Sequence, residues 1–88
     1  MDFNYKLNEY MERLSCTARE LCSLSGISAA SFSRYRNGER VPELGTKPFE
    51  GLCSAIAQIA VQKGITDITT DSVKASFLAC EAFVSIDQ

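Results

Sequence analysis

The chain has 88 residues, of which 45% are hydrophobic and 23% charged, with a formal net charge of −2; this is enough for one modest core and too short for a second domain. No apolar run approaches the roughly 18 residues of a membrane-spanning helix, and the N-terminus MDFNYKLNEY lacks the charged-then-apolar order of a signal peptide, so the chain reads as soluble and cytoplasmic, with no membrane partner. Histidine is absent, so the common general base is missing, Ser and Cys nucleophiles have no imidazole partner, and no glycine-rich phosphate loop is present. The expectation is a protein that is not an enzyme and takes no cofactor.

The first helix is capped by Asp2 and carries Phe3, Leu7, Tyr10, Met11 and Leu14 at helical spacing, a core stripe. Its other side holds Lys6, Glu9, Glu12 and Arg13; Glu9 and Arg13 form a favourable i,i+4 pair, and the paired carboxylates Glu9 and Glu12 read as solubilising charge. Ser15 and Cys16 break the pattern. Thr17, with Glu20 three residues on, has the form of a capping box for a second helix, which brings Leu21 and Cys22 inward and stops at Gly26. Ser28 caps a third helix, in which Phe32 and Tyr35 share one stripe and Ile27 packs at the entry; it closes at Asn37–Gly38.

Residues 39–46, ERVPELGT, contain Pro42 and Gly45 without apolar periodicity and are expected to form a loop crossing the surface. Thr46 is the next N-cap, with Pro48 tolerated in the first turn of a fourth helix. Phe49, Leu52, Cys53, Ile56, Ile59 and Ala60 make that helix the most apolar face in the chain and the floor beneath the first three. Its N-terminus also suits a phosphate. After the β-branched stretch 65–70, Thr69 or Thr70 caps a last helix that begins near Asp71 and runs to 84–86. Val73, Phe77, Cys80 and Val84 form one stripe with Leu78, Ala82 and Phe83 beside it, wider than packing on a small domain requires. The sequence leaves two uses for the surplus: a homodimer contact through Val73, Phe77, Leu78, Phe83 and Val84, or additional buried core. Four cysteines at 16, 22, 53 and 80 form no CxxC pair, which argues against a metal, and disulfides are disfavoured in a reducing compartment; Cys22 and Cys53 read as small hydrophobes.

Charge is uneven. Residues 1–16 sum to −1, residues 17–47 to +2 and residues 48–88 to −3, so the only positive segment is the central helix pair with its following loop. Two helices joined by a short glycine-containing turn form a helix-turn-helix, over 17–38 here. Leu21, Cys22, Gly26, Ile27, Ser28, Phe32, Ser33, Arg34, Tyr35, Asn37, Gly38, Arg40 and Pro42 resemble the pattern of the Cro and phage-repressor-like (lambda repressor-like, XRE-type) helix-turn-helix family, with a core signature over 17–42 and an extent of about 3–64. The resemblance implies an all-α, five-helix domain spanning 1–88 and a transcriptional regulator, of repressor type, that binds double-stranded operator DNA as a homodimer.

It also implies roles by position. With the third helix in the major groove, Ser28, Ala29, Ala30, Ser31, Ser33 and Arg34 face base edges. The family often carries long polar readers at the two positions after the cap, where this chain has Ala29 and Ala30, which leave methyl contact with thymine. Arg34 is the best candidate for a bidentate guanine contact, giving about 1–3 kcal/mol of discrimination, with a phosphate contact as its alternative. Phosphate contacts are expected from Thr17, Arg19, Arg36, Asn37, Arg40 and Lys47. Ala29–Ala30 and the acidic total fit a rival role, a protein-interaction module of the same fold that has lost DNA binding.

Overall fold

A computed structural model describes residues 2–80. In these residues the chain forms five helices and no strand: α1 (Phe3–Leu14), α2 (Ala18–Ser25), α3 (Ala29–Asn37), α4 (Lys47–Gln62) and α5 (Thr70–Leu78). The fold class is therefore the all-α, five-helix arrangement expected from the hydrophobic periodicities. The α1 stripe Phe3, Leu7, Tyr10, Met11 and Leu14 is buried throughout, and Ser15 ends the helix by turning left-handed (φ 51°). α4 buries Phe49, Leu52, Cys53, Ile56, Ile59 and Ala60 and packs chiefly against α2 and α5, while α1 lies against α3. No helix among the described residues is long and apolar enough to cross a membrane.

One close approach fixes how the helix-turn-helix sits on this floor. A Cβ built on Gly51, in the second turn of α4, would stand 2.7 Å from the backbone carbonyl oxygen of Ser25 at the end of α2. Only glycine lets the two backbones meet there, because the obstructing atom is main chain and cannot swing aside.

Several expectations need correction. Val73 and Phe77, assigned to a dimer contact, are fully buried within the chain itself. Phe77 sits among three rings, with centroids 4.6 Å from Phe3, 5.8 Å from Tyr10 and 6.3 Å from Phe49, so Val73 and Phe77 serve this core, the second of the two uses the sequence left open, and are not available to a second copy. Of the assigned contact, Leu78 is exposed, and Phe83 and Val84 lie outside the described residues. α5 ends at Leu78, short of 84–86; the Ala79 amide bonds back to the Ala75 carbonyl, and Cys80 turns into the core. Of the residues read as surplus width, Leu78 is the last of the nine-residue helix, and Ala82 and Phe83 lie outside the described residues.

The expected Glu9–Arg13 pair is replaced by two others. Lys6 Nζ meets Glu9 Oε1 at 2.9 Å, and Arg13 Nη2 reaches across to Asp67 Oδ2 at 2.7 Å, tying α1 to the loop before α5. The guanidinium holds the Asp67 carboxyl below its ordinary pKa. Asp2 and Thr46 stand at helix starts, yet neither side chain makes a capping hydrogen bond; the Thr46 hydroxyl instead donates to the Glu43 carbonyl at 2.6 Å. Nor does the 39–46 loop stay wholly on the surface, since Pro42 is buried and Val41 packs half-buried against the core.

Candidate nucleic-acid interface

The central helix pair is built by local hydrogen bonds that the sequence specifies. The Thr17 hydroxyl accepts from the Glu20 amide at 3.2 Å while the Glu20 carboxylate accepts from the Thr17 amide at 2.8 Å, closing the capping box. Gly26 takes φ 79° and its amide bonds to the Cys22 carbonyl at 2.9 Å, which turns the chain; Ile27 is driven into the core directly after it. The Ser28 hydroxyl then accepts from the Ser31 amide at 3.2 Å and starts α3. Phe32 and Tyr35 anchor one face of α3, and at the far end the Gly38 and Glu39 amides bond back to the Tyr35 and Arg34 carbonyls.

With that face buried, helical geometry sets the rest. At about 100° per residue, Ala30, Ser33, Arg34 and Asn37 lie opposite the Phe32–Tyr35 stripe, with Ala29 and Arg36 on one flank. Ser28, Ala29, Ala30, Ser33 and Arg34 are all exposed; Ser31 is half-buried, with its amide consumed by the Ser28 cap, and is the least accessible of the six residues assigned to base edges.

Between α2 and α3 lies a hollow of about 730 Å³ lined by Arg19 and Cys22 from α2, Ala29, Ser33 and Arg36 from α3, and Asn8 from α1, among others. It brings together Arg19, Arg36 and Asn37, three of the residues assigned to phosphate. Thr17 borders an adjoining hollow, shared with Asn8, Ala18 and Arg36, but its hydroxyl is committed to the cap. Arg40 and Lys47 are exposed on the loop and at the start of α4 and line neither hollow. Asn37 Nδ2 lies 3.4 Å from Glu39 Oε2, so part of its donor capacity faces a carboxylate.

Asn8 was not singled out from the sequence. Its amide oxygen accepts from Arg36 Nε at 2.9 Å, and its amide nitrogen donates to the Asn4 carbonyl at 2.9 Å and the Arg36 carbonyl at 3.1 Å. The signal available was two asparagines, Asn4 and Asn8, one turn apart inside a helix, where asparagine is a poor helix former and its place calls for a tertiary reason.

All four thiols are free; Cys16, Cys53 and Cys80 are buried and Cys22 half-buried. Burial pushes each thiol up in pKa, that of Cys53 to about 12, and so favours the protonated form, which is less nucleophilic than the thiolate. Among the described residues no group of three or more His, Cys, Asp or Glu side chains could hold a metal ion.

The profile of the Cro/C1-type HTH DNA-binding domain family matches residues 6–57, which takes in most of α1, both helices of the pair and most of α4. No curated protein and no solved structure gives a match. A capped helix pair with an exposed second helix, seated on α4 and matched over more than half its length by that profile, makes this chain a member of the Cro/C1-type helix-turn-helix DNA-binding domain family.

Proposed function

We propose that the chain is a sequence-specific transcriptional regulator, a repressor in type, which acts in the cytoplasm and binds duplex DNA with α3 in the major groove. The observation that carries this reading is the row Ala30, Ser33, Arg34 and Asn37 on the open side of α3, backed by the anchored Phe32 and Tyr35 and flanked by a hollow holding Arg19 and Arg36. In it Arg34 reads guanine, the Ala29 and Ala30 methyls meet thymine, and Ser28 and Ser33 contact base edges. Arg19, Arg36, Asn37, Arg40 and Lys47 orient the protein on the sugar-phosphate backbone, helped by the amides at the start of α2 behind Thr17. The reading assigns no catalytic step.

Five basic residues in the positive segment neutralise few phosphates, so a single copy binds weakly; a homodimer on two half-sites one helical turn apart doubles the contacts. Titration of random-sequence duplex at several salt concentrations tests the reading. Binding should fall steeply as salt rises, and Arg34→Ala with Arg36→Ala should weaken it and flatten the slope. No binding at low salt would refute it. Sedimentation with and without a two-half-site duplex tests the dimer, which a mass of one copy per duplex rules out.

A second reading, a protein-interaction module of the same fold, is favoured by the two exposed alanines at the start of α3 and by the exposed Val61 in an uncharged hollow between α4 and the loop before α5. It predicts no salt-dependent DNA binding in the same titration.

A further inference from the structure

We propose that Asn8 of α1 is a positioning residue for DNA binding, which holds Arg36 by a neutral amide so that the guanidinium keeps its full charge for a backbone phosphate. The inference rests on the DNA-binding reading and names how one of its contacts is prepared.

Three hydrogen bonds place Asn8 between two helices. Its amide nitrogen is shared between the Asn4 carbonyl of its own helix and the Arg36 carbonyl of α3, and its amide oxygen accepts from Arg36 Nε. One side chain therefore fixes both the last turn of α3 and the direction in which the Arg36 side chain leaves it. α1 and the end of α3 are close here in another respect: a Cβ on Gly38 would stand 3.3 Å from the Asn4 side chain. A guanidinium has five N–H donors in a rigid planar fork, and engaging Nε alone fixes the plane while leaving the N–H groups of the two terminal nitrogens to be used elsewhere. Arg36 borders both hollows at the start of α2 and along α3, the concave face where the sugar-phosphate backbone runs in the proposed complex.

The choice of an amide matters. Arg13 spends its charge on Asp67 at 2.7 Å, as Lys74 does on Glu50 at 2.8 Å, whereas among the described residues no carboxylate pairs with Arg36. A carboxylate at position 8 would still accept from Arg36 Nε, but it could not donate to the Arg36 carbonyl and would cancel the charge that a phosphate needs. An alanine would leave the charge and release the side chain, which then has to be ordered again on binding.

The test is fluorescence anisotropy of a labelled duplex against wild type, Asn8→Ala, Asn8→Asp, Arg36→Ala and the double variant Asn8→Ala/Arg36→Ala, across a salt series, with thermal unfolding of each protein. Asn8→Ala should weaken binding about three- to tenfold, and should change it by less than about twofold when Arg36 is already alanine. Asn8→Asp loses the two hydrogen bonds that the amide nitrogen donates, so its binding is read below its own unfolding midpoint, where it should be weaker than wild type with a salt slope lower by about 0.9, as Arg36→Ala gives. Two results overturn the proposal while the DNA-binding reading stands: wild type binds with a steep salt slope and Asn8→Asp binds equally well, or Asn8→Ala loses the same affinity with and without Arg36. If wild type itself fails to bind duplex at low salt, the reading and the proposal fall together, an outcome distinct from the other two because it is read on the unaltered chain.

Discussion

Replacing Phe77 by alanine separates a core role for α5 from an interface role. The side chain is fully buried, and its ring stands 4.6 to 6.3 Å from those of Phe3, Tyr10 and Phe49, three rings from two other helices. Truncating a buried phenylalanine costs about 3–5 kcal/mol through lost transfer energy and the cavity left behind. A domain of this length has a total stability of about 4–13 kcal/mol, so Phe77→Ala should remove about a quarter of it at the upper end of that range and nearly all of it at the lower end. Leu78, next in sequence and exposed, should lose less than about 1 kcal/mol as Leu78→Ala. Urea denaturation followed by circular dichroism measures both, and sedimentation of each variant reports mass. A Phe77→Ala protein as stable as wild type but with a halved mass would refute the packing argument and return α5 to the role of an intermolecular surface.

Gly51→Ala sets two effects against each other: alanine improves helix propensity by about 1 kcal/mol, while the 2.7 Å approach to the Ser25 carbonyl imposes an overpacking cost of about 1–3 kcal/mol. Net destabilisation in urea is expected, and a more stable variant would show that α2 and α4 move apart freely. Thr17→Ala removes the hydroxyl half of the capping box and should cost about 1 kcal/mol, read as a lower unfolding midpoint; no shift would mean the start of α2 is held by something else. Half-buried Cys22 should react with a maleimide before buried Cys53, whose thiol burial pushes up to about 12. Because only the thiolate reacts and burial raises the Cys22 pKa above its usual value, its labelling should be slow at neutral pH and quicken as pH rises through the alkaline range; mass spectrometry identifies the residue, and early labelling of Cys53 would contradict its burial. An adduct on Cys22 lies in the hollow between α2 and α3 and should abolish duplex binding in the anisotropy assay.

The features legible in the sequence were those set by near neighbours along the chain. Thr17 with Glu20, Ser28 as a cap and Gly26 as a turn all act within a few residues, and each does in the structure what its type and spacing dictate. The stripes of α1 and α4 were legible because helical periodicity alone decides which residues point inward. Apart from the Asp2 and Thr46 caps, which failed locally, much of what escaped depends on partners distant in sequence. Arg13 chose Asp67 over Glu9, four residues away, because the loop before α5 passes beside it. The Asn8–Arg36 clamp joins residues 28 apart, and no local pattern announces it. α5 was read too long because a helical stripe continues in the sequence past the point where the Ala79 turn and the buried Cys80 end the helix.

Ala29 and Ala30 stand exposed at the start of α3. Both lie outside the buried core, so residues compatible with a helix could replace them at little cost to the scaffold beneath. In the proposed complex, preference for a DNA sequence and folding are in this way written at separate positions. Selection, or an engineer, can rewrite the first while leaving the second untouched, starting from a helix whose two leading positions are close to blank.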